Sequence, residues 1–350
     1  MFILHTEHSP GEYRIALTRN DILIEFYVHR PGARDGYGDL HWARVVSRVP
    51  AMAGAFVALA GSEAFLPDTA GGKTVTEGDH LAVRITRTAQ GGKGPRVTAR
   101  LSAAELACAA PGPVRLLRHG PSPLEELCGA YADAQIRTGA HPEALAAEIE
   151  ALASPAIALP GGMTGSIAPA AALTAIDLDS AAATAGRAPK QDAQFAANRA
   201  ALPELARQIR LRNLSGAILI DFSGLPTRRR GALTPDLEAA LADDRVGPRL
   251  VGFTGLGFAE ILRPRLRPPL YEMLRGPHAA GLAALRHVQS EALAAPARHL
   301  AVRAPPAVIA ALQADTLALA EVAHVTTHPL MLRSDPALPG FTCLIEDSSA

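Results

Sequence analysis

The stretch LTAIDLDSAA, residues 173–182 of a 350-residue chain, decides the fold of the central region. Its apolar residues predict a strand over 173–178 that ends in acid, and GAILIDF at 216–222 predicts a second strand of the same kind. Residues 192–212 between them predict a long helix. A strand, a helix and a strand in this order are typical of a β-α-β unit, so we expect the two strands to be parallel and close together.

Three aspartates lie at the ends of these two predicted strands. Asp177 and Asp179 are two residues apart on the first strand and therefore point to one face, and Asp221 ends the second strand. If the strands are neighbours, the carboxylates converge and repel, which calls for a hard divalent cation, Mg²⁺ or Mn²⁺. Such a metal suits phosphoryl chemistry. The alternative is that these acids only end strands or cap the following helices, and spacing alone does not separate the two interpretations.

Arginines are dense around these acids. They are Arg207, Arg210 and Arg212 on the predicted helix, Arg228, Arg229 and Arg230 after the second strand, and Arg263, Arg265 and Arg267. Acid at strand ends with arginine nearby suits a polyanionic substrate held against a metal. The alternative is a solvated helix face, which residues 228–230 on their own favour.

The first hundred residues predict a β structure. The expected strands are 13–17, 22–29, 40–49, 55–60, 80–88 and 96–101. Strands this short and numerous favour a small barrel over an open sheet. Phe56, Phe65 and the Lys93 of a GGKG loop are residue types with which a barrel stacks and holds single-stranded nucleic acid. The sequence alone favours the alternative, in which both phenylalanines belong to the core.

Helices predominate in the rest of the chain. We expect helices at 102–110, 123–133, 141–152, 234–243, 258–262, 279–293 and 305–314, and strands at 114–117, 249–253, 299–303 and near His324 and Phe341.

Composition limits the classes of function. Basic and acidic residues both number 34, so no overall positive field indicates a nucleic-acid partner, although local clusters can still bind phosphates. Cys108, Cys128 and Cys343 include no C-x-x-C pair, which excludes a disulfide framework and a thiolate zinc site. Neither a signal-peptide pattern nor a membrane-spanning stretch is evident. We therefore expect a cytoplasmic protein with no membrane partner.

Several strings together resemble the catalytic half of the ribonuclease E/G family of bacterial endoribonucleases. The strings are GEYRIAL (11–17), DILIEFYVHRPGA (21–33), GAFVALAGSEAFLPD (54–68), GGKGPRVTARLS (91–102), LTAIDLDSAAATAG (173–186), ARQIRLRNLSGAILIDF (206–222) and TGLGFAEILRPRLRP (254–268). They are similar to the family's opening strands, its S1-type barrel and its active-site region, in order and at similar spacing.

The resemblance implies roles for six residues. Asp177 and Asp221 fall on the family's two metal-binding aspartates, and Asp179 falls where the family has an asparagine that supports the metal site. The RNA-binding positions of the family's barrel fall on three residues, Phe56, Phe65 and Lys93.

The family fold implies an α+β multidomain chain. Residues 1–35 and 105–152 would form a ribonuclease-H-like part, with an inserted S1-type OB barrel at 36–104. A DNase-I-like α/β catalytic domain would cover 153–276, and a small C-terminal α/β domain 277–350.

The sequence also departs from the family pattern. Asp179 replaces asparagine, and Ala182 and Gly255 stand where the family carries arginines, which weakens the case for full activity. The family's two-cysteine zinc link would fall in RGPHAAG (275–281), which has no cysteine, so we expect no zinc.

The family's 5′-end-sensing domain also lacks room. It would have to share the stretch 102–154 with the ribonuclease-H-like segment. We interpret IRTG (136–139) as a coincidental likeness to the sensor's arginine–threonine pair.

The resemblance thus implies a Mg²⁺-dependent endoribonuclease, with Mn²⁺ as a substitute, that cleaves single-stranded rRNA or mRNA as a monomer or homodimer. The alternative is a non-catalytic RNA-binding protein that retains the fold. A DNA-directed nuclease is disfavoured, because the S1-type barrel indicates RNA.

Overall fold

The computed structural model of the protein describes residues 1–179, 190–222 and 224–348. Ala182 lies outside these described residues. The chain divides into two compact units, each built from separated segments. Unit 1 comprises Met1–Arg34, Ser122–Ala153 and Leu270–Ala350, and unit 2 comprises Asp35–Pro121 and Ser154–Pro269.

The described residues form strands and helices throughout the chain. The strands are β1 (Phe2–Ser9), β2 (Glu12–Arg19), β3 (Ile22–His29), β4 (Leu40–Val49), β5 (Gly54–Leu59), β6 (Ser62–Pro67), β7 (His80–Arg87), β8 (Arg96–Thr98), β9 (Arg115–Arg118), β10 (Gln135–Thr138), β11 (Ala156–Ala158), β12 (Thr164–Pro169), β13 (Leu173–Asp179), β14 (Gly216–Asp221), β15 (Arg249–Phe253), β16 (Ala259–Arg263), β17 (Leu300–Ala304), β18 (Met331–Ser334) and β19 (Leu344–Asp347). The helices are α1 (Ala103–Ala107), α2 (Pro123–Ala130), α3 (Glu143–Ala151), α4 (Lys190–Leu211), α5 (Thr227–Arg230), α6 (Thr234–Leu241), α7 (Leu270–Met273), α8 (Pro277–Ala294), α9 (Pro306–Ala314) and α10 (Thr316–Val325).

Unit 1 contains two small sheets. One has the order β10-β1-β2-β3, and its apolar face packs Leu4, Ile15 and Leu17 against Leu127 of α2. Ser122 caps α2 in a capping box with Glu125, which explains where this helix begins. The other sheet has the order β18-β17-β19 and shares an apolar core with α8, α9 and α10.

The prediction of a strand near His324 is wrong, because this residue lies in α10. The Asp315 carboxylate accepts a 3.0 Å hydrogen bond from the Ala318 backbone and so caps the helix. Ala318 and Val322, one turn apart, are both buried, which is the spacing of a helix packed on a core. The strand predicted near Phe341 is β19, which begins a few residues later.

Unit 2 contains a closed five-stranded barrel. Hydrogen bonding runs β4-β5-β6-β8-β7 and back to β4, and β9 adds to the outside of β4. The barrel core is apolar, with Val45, Val57, Leu66, Val83 and Val97 almost fully buried. The predicted α+β class and the predicted barrel are therefore confirmed.

The rest of unit 2 is a six-stranded mixed sheet of order β11-β12-β13-β14-β16-β15. β13 and β14 are adjacent and parallel, with α4 as the connecting helix, so the predicted β-α-β unit is confirmed. One sheet face is apolar and buried through Ile176, Ile218 and Ile261. The opposite face carries exposed residues on β12, β13 and β14.

Two predicted features of unit 2 differ in the structure. Residues 258–262 were expected to form a short helix, but β16 is a strand hydrogen-bonded to β14 and β15. A short apolar run does not distinguish the two states locally, and the neighbouring strands decide it. Residues 105–121 were assigned to the ribonuclease-H-like part, whereas they group with unit 2, where β9 pairs with β4.

Within the described ranges, we find no single helix that is long and apolar enough to cross a membrane. The consecutive helices α9 and α10 reach such a length and apolar composition only when they are taken together, and the chain bends by 87° between them.

Candidate active site and nucleic-acid interface

Asp177 and Asp221 are direct neighbours across two parallel strands. In the register of β13 and β14, Ile176 lies beside Ile220 and Asp177 beside Asp221. Neighbouring strands are about 4.8 Å apart, so the two carboxylates leave the sheet side by side. The carboxyl ends of parallel strands meet at one edge, which is why the sequence places both acids there.

The pleat turns these acids towards solvent. Along β13, Ile176 and Leu178 are buried while Asp177 and Asp179 are exposed, as strict alternation requires. The neighbouring β12 places the exposed residues Ser166 beside Asp177 and Thr164 beside Asp179. The exposed face therefore presents carboxylate and hydroxyl oxygens together.

Asp221 has an arginine partner. Arg230 Nη1 donates a 2.6 Å hydrogen bond to Oδ1 of Asp221, and the Arg230 side chain is only 13% exposed. Arg229 pairs with Asp192 at 2.8 Å, while Arg228 is exposed. The interpretation of residues 228–230 as a solvated face is therefore wrong for Arg230, whereas Arg228 and the surface pair of Arg229 and Asp192 are consistent with it. No local pattern indicates these pairs, because their partners lie elsewhere in the sequence.

The donors suit a hard divalent cation. Mg²⁺ prefers oxygen ligands and is typically held by one or two carboxylates, with water and substrate phosphate completing the shell. Asp177 and Asp221, with Asp179 and Ser166 nearby, offer such oxygens. The described residues contain no cluster of three or more His, Cys, Asp and Glu side chains arranged to hold a metal by themselves.

Gly255 begins the turn between β15 and β16. A Cβ added at this glycine would meet no atom within 4 Å. The position thus has space for a longer side chain, although the glycine offers no charge to a substrate.

The barrel carries an aromatic pair on its outer face. Phe56 of β5 and Phe65 of β6 are cross-strand partners, and their ring centroids are 5.5 Å apart at 64°. Both rings are partly exposed, whereas their sequence neighbours Val57 and Leu66 are buried in the barrel core. The structure therefore favours the surface position of the phenylalanines over the core alternative.

Basic residues border this pair. The Arg96 guanidinium lies 5.6 Å from the Phe65 ring centroid, a cation–π distance. Lys93 is exposed at the end of a tight hairpin whose Gly91 and Gly92 have φ values of +59° and +69°. Such a turn requires two left-handed residues, which glycine adopts without strain. Sequence reasoning missed Arg96, although its position three residues after Lys93 was the available signal.

Gly54 explains how the Phe65 ring is held. A Cβ at residue 54 would overlap that ring, so the ring rests on bare backbone. Any larger residue at this position would displace the phenylalanine from its place beside Phe56.

Known proteins match the central part of the chain. The sequence model of the ribonuclease E/G family matches residues 134–266. Ribonuclease E of Escherichia coli K12 is 35% identical over 160 residues, which cover 42% of this chain. In this part of the sequence the chain is similar to the ribonuclease E/G family.

Two further relatives are named ribonuclease E and ribonuclease G. Ribonuclease E of Nostoc sp. PCC 7120 is 34% identical over 128 residues, or 36% of this chain. Ribonuclease G of Escherichia coli K12 is 38% identical over 104 residues, or 29% of this chain. The match covers only 15%, 18% and 21% of the length of the three relatives, in the order given.

The family match includes both aspartate-bearing strands and also begins early enough to include Arg137 and Thr138. These two residues lie on β10, an edge strand of unit 1 whose residues are all exposed. Their inclusion weakens the interpretation of IRTG as a coincidence.

Proposed function

We propose that this protein is a Mg²⁺-dependent endoribonuclease of the ribonuclease E/G family that cleaves single-stranded RNA. The observation that supports it most is the register of Asp177 beside Asp221 on an exposed sheet face. Two oxygen-donor side chains at one open edge are what a phosphodiester hydrolase needs to hold a divalent cation at its substrate.

Asp177 and Asp221 would hold Mg²⁺, or Mn²⁺ in its place, and Asp179 would contribute directly or through a water. When bound, the ion supplies a Lewis acid that lowers the pKa of water and offsets charge on the phosphate oxygens. Arg230 orients the Asp221 carboxylate through its 2.6 Å hydrogen bond. Because the site is open to solvent, an extended RNA strand can reach it.

The barrel would act as an S1-type RNA clamp. Phe56 and Phe65 offer partly exposed rings on which bases can stack, and Arg96 and Lys93 offer cations for the phosphates. The six-stranded sheet would be the DNase-I-like part, and the β10-β1-β2-β3 sheet the ribonuclease-H-like part.

The substrates would be rRNA or mRNA in the cytoplasm, bound by a monomer or homodimer. Cys108, Cys128 and Cys343 are all free thiols in different parts of the fold, so we expect no zinc link of the family's kind.

A non-catalytic RNA-binding role is the second candidate. Gly255 offers no charge where the family carries an arginine, and Asp221 is already engaged by Arg230. Both observations favour slow turnover with RNA binding retained.

Cleavage of a fluorescent single-stranded RNA by the purified protein, with Mg²⁺ and with chelator, separates the two roles. We expect cleavage only with Mg²⁺, and a loss of more than about a hundredfold in rate for Asp177→Asn and Asp221→Asn, since a metal stabilises the transition state by several kcal/mol. RNA binding in chelator should be unchanged. The exposed Asp243 provides the matched control, and Asp243→Asn should cleave normally. Binding without cleavage in either Mg²⁺ or Mn²⁺ would instead support the non-catalytic role.

A further inference from the structure

A cleft of about 520 Å³ opens in unit 2 at the start of β14, at the opposite end of this strand from Asp221. Gly216, Arg249 and Arg265 are among its lining residues. Gly216 has φ +85°, and a Cβ there would overlap the Arg265 guanidinium. The Arg265 guanidinium therefore packs directly against the Gly216 backbone.

Arg249 and Arg265 differ from Arg263 in their hydrogen-bond partners. Arg263, which also lines the cleft, is buried and donates to Asp244 at 2.7 Å. Within the described residues, Arg249 and Arg265 form no hydrogen bond or ion pair with a carboxylate, and Arg249 is exposed. Two cations that face one cleft without an acid present a site for an anion.

The barrel connects to this cleft through its backbone. The Thr88 amide donates a 2.9 Å hydrogen bond to the Leu266 carbonyl, which places the end of β7 beside the segment after β16. Ser215 Oγ, next to the first residue of β14, lies 3.4 Å from Gln90 Oε1 in the barrel hairpin. The hairpin that carries Lys93 is thus anchored at the edge of the cleft.

A chain of arginines follows the same connection. Burial lowers the pKa of the Arg87 guanidinium, and the positive charges of Arg96 and Arg265 lower it further. Arg96 and Arg265 thus both contribute positive charge at Arg87. Arg96 also covers the Phe65 ring. The basic cluster therefore leads from the aromatic pair to the cleft.

We propose that the cleft at Arg249 and Arg265 is a phosphate-binding subsite for single-stranded RNA, between the barrel and the carboxylates. The inference rests on the proposed function, because it takes the ligand to be RNA. From Gly216 to Asp221 the strand spans about 17 Å. Ala175, Ala217 and Leu219 on this exposed face leave room for bases. One strand can thus stack on the barrel, place a backbone phosphate in the cleft and continue to Asp177 and Asp221.

The test is the salt dependence of RNA binding, measured in chelator with a labelled oligouridylate. Each phosphate contact to a single strand adds about 0.7 to the slope of log K against log salt. We expect Arg249→Gln and Arg265→Gln each to lower the slope by about 0.7 and the double variant by about 1.4. The loss of each contact should also weaken binding by about tenfold. The exposed Arg19 of unit 1 is the control, and Arg19→Gln should leave the slope unchanged.

The outcomes separate this inference from the function on which it rests. If the native protein binds RNA and both variants keep its slope, the cleft is not a phosphate subsite, while the proposed function stands. If the native protein binds no single-stranded RNA, the proposed function fails and the inference fails with it. Should Arg265→Gln melt at a lower temperature, the exposed Arg249→Gln decides alone.

Discussion

Arg230 and Asp221 are joined by a 2.6 Å hydrogen bond from Nη1 to Oδ1 at the carboxyl edge of the six-stranded sheet. The same guanidinium donates to the backbone carbonyls of Leu225 at 2.8 Å and Gly257 at 3.2 Å. The arginine thus connects the turn after β14 to the turn before β16 and holds the carboxylate in one orientation. It also brings a positive charge to the place where a metal and a phosphate would lie.

Arg230→Gln should slow cleavage by about ten- to a hundredfold, because one charge-assisted hydrogen bond contributes about 1.5–3 kcal/mol. The half-saturating Mg²⁺ concentration should not rise, since the variant removes a cation that competes for Asp221. Rates measured across a Mg²⁺ titration test both points. Arg228→Gln, an exposed change on the same helix, should behave as the native protein. A raised Mg²⁺ requirement with an unchanged maximal rate would contradict the positioning role.

Phe65→Ala should weaken single-strand binding by about 1–3 kcal/mol with little change in melting temperature, because the ring is partly exposed and stacks on ligand bases. The adjacent Leu66 is fully buried, and Leu66→Ala should cost about 2–5 kcal/mol of unfolding free energy. RNA titration beside thermal melting compares the two. If Phe65→Ala destabilises the fold as much as Leu66→Ala does, Phe65 is a core residue and the hypothesis of base stacking is wrong.

The rate of cleavage should be nearly equal for RNAs with a 5′-monophosphate and a 5′-hydroxyl. Between β10 and β11 the chain forms only α3, and the 17 residues 139–155 are too few for a separate domain. Cleavage of the two forms of one RNA measures the preference. A strong preference for the monophosphate that Arg137→Ala removes would instead identify Arg137 and Thr138 as the sensor.

Stability should fall in mild acid because of His141. Its side chain is 1% exposed, and burial, with smaller contributions from His5 and Arg14, lowers its pKa to about 4. The unfolded chain takes up this proton near pH 6.5 and the folded chain only near pH 4. Between these values the unfolded state binds more protons, so the unfolding free energy falls by up to about 1.4 kcal/mol for each pH unit as the pH drops.

Denaturant unfolding at pH 7 and pH 5 checks this. His141→Phe should reduce the loss of stability between the two pH values, whereas the same change at the exposed His287 should not. Equal pH dependence in the native protein and His141→Phe would mean that other groups control the acid sensitivity.

The sequence by itself determined the arrangement of β13, α4 and β14 and the convergence of Asp177 with Asp221. Alternating apolar residues specify which face of a strand is buried, and a strand–helix–strand order specifies parallel neighbours. Both are local signals, so they can be read without knowledge of the rest of the chain. The barrel could be predicted for the same reason, from short strands separated by turns.

Only the tertiary structure decided the state of residues 259–263, the partner of Arg230 and the exposure of Phe56 and Phe65. In each case the deciding contact comes from residues distant in the sequence, such as the two strands that pair with β16. The cleft of Arg249 and Arg265 is of the same kind, since it requires Gly216 to lie beneath a guanidinium from another strand's end. Periodicity reports which side of an element is apolar, but it carries no information on which neighbour covers that side.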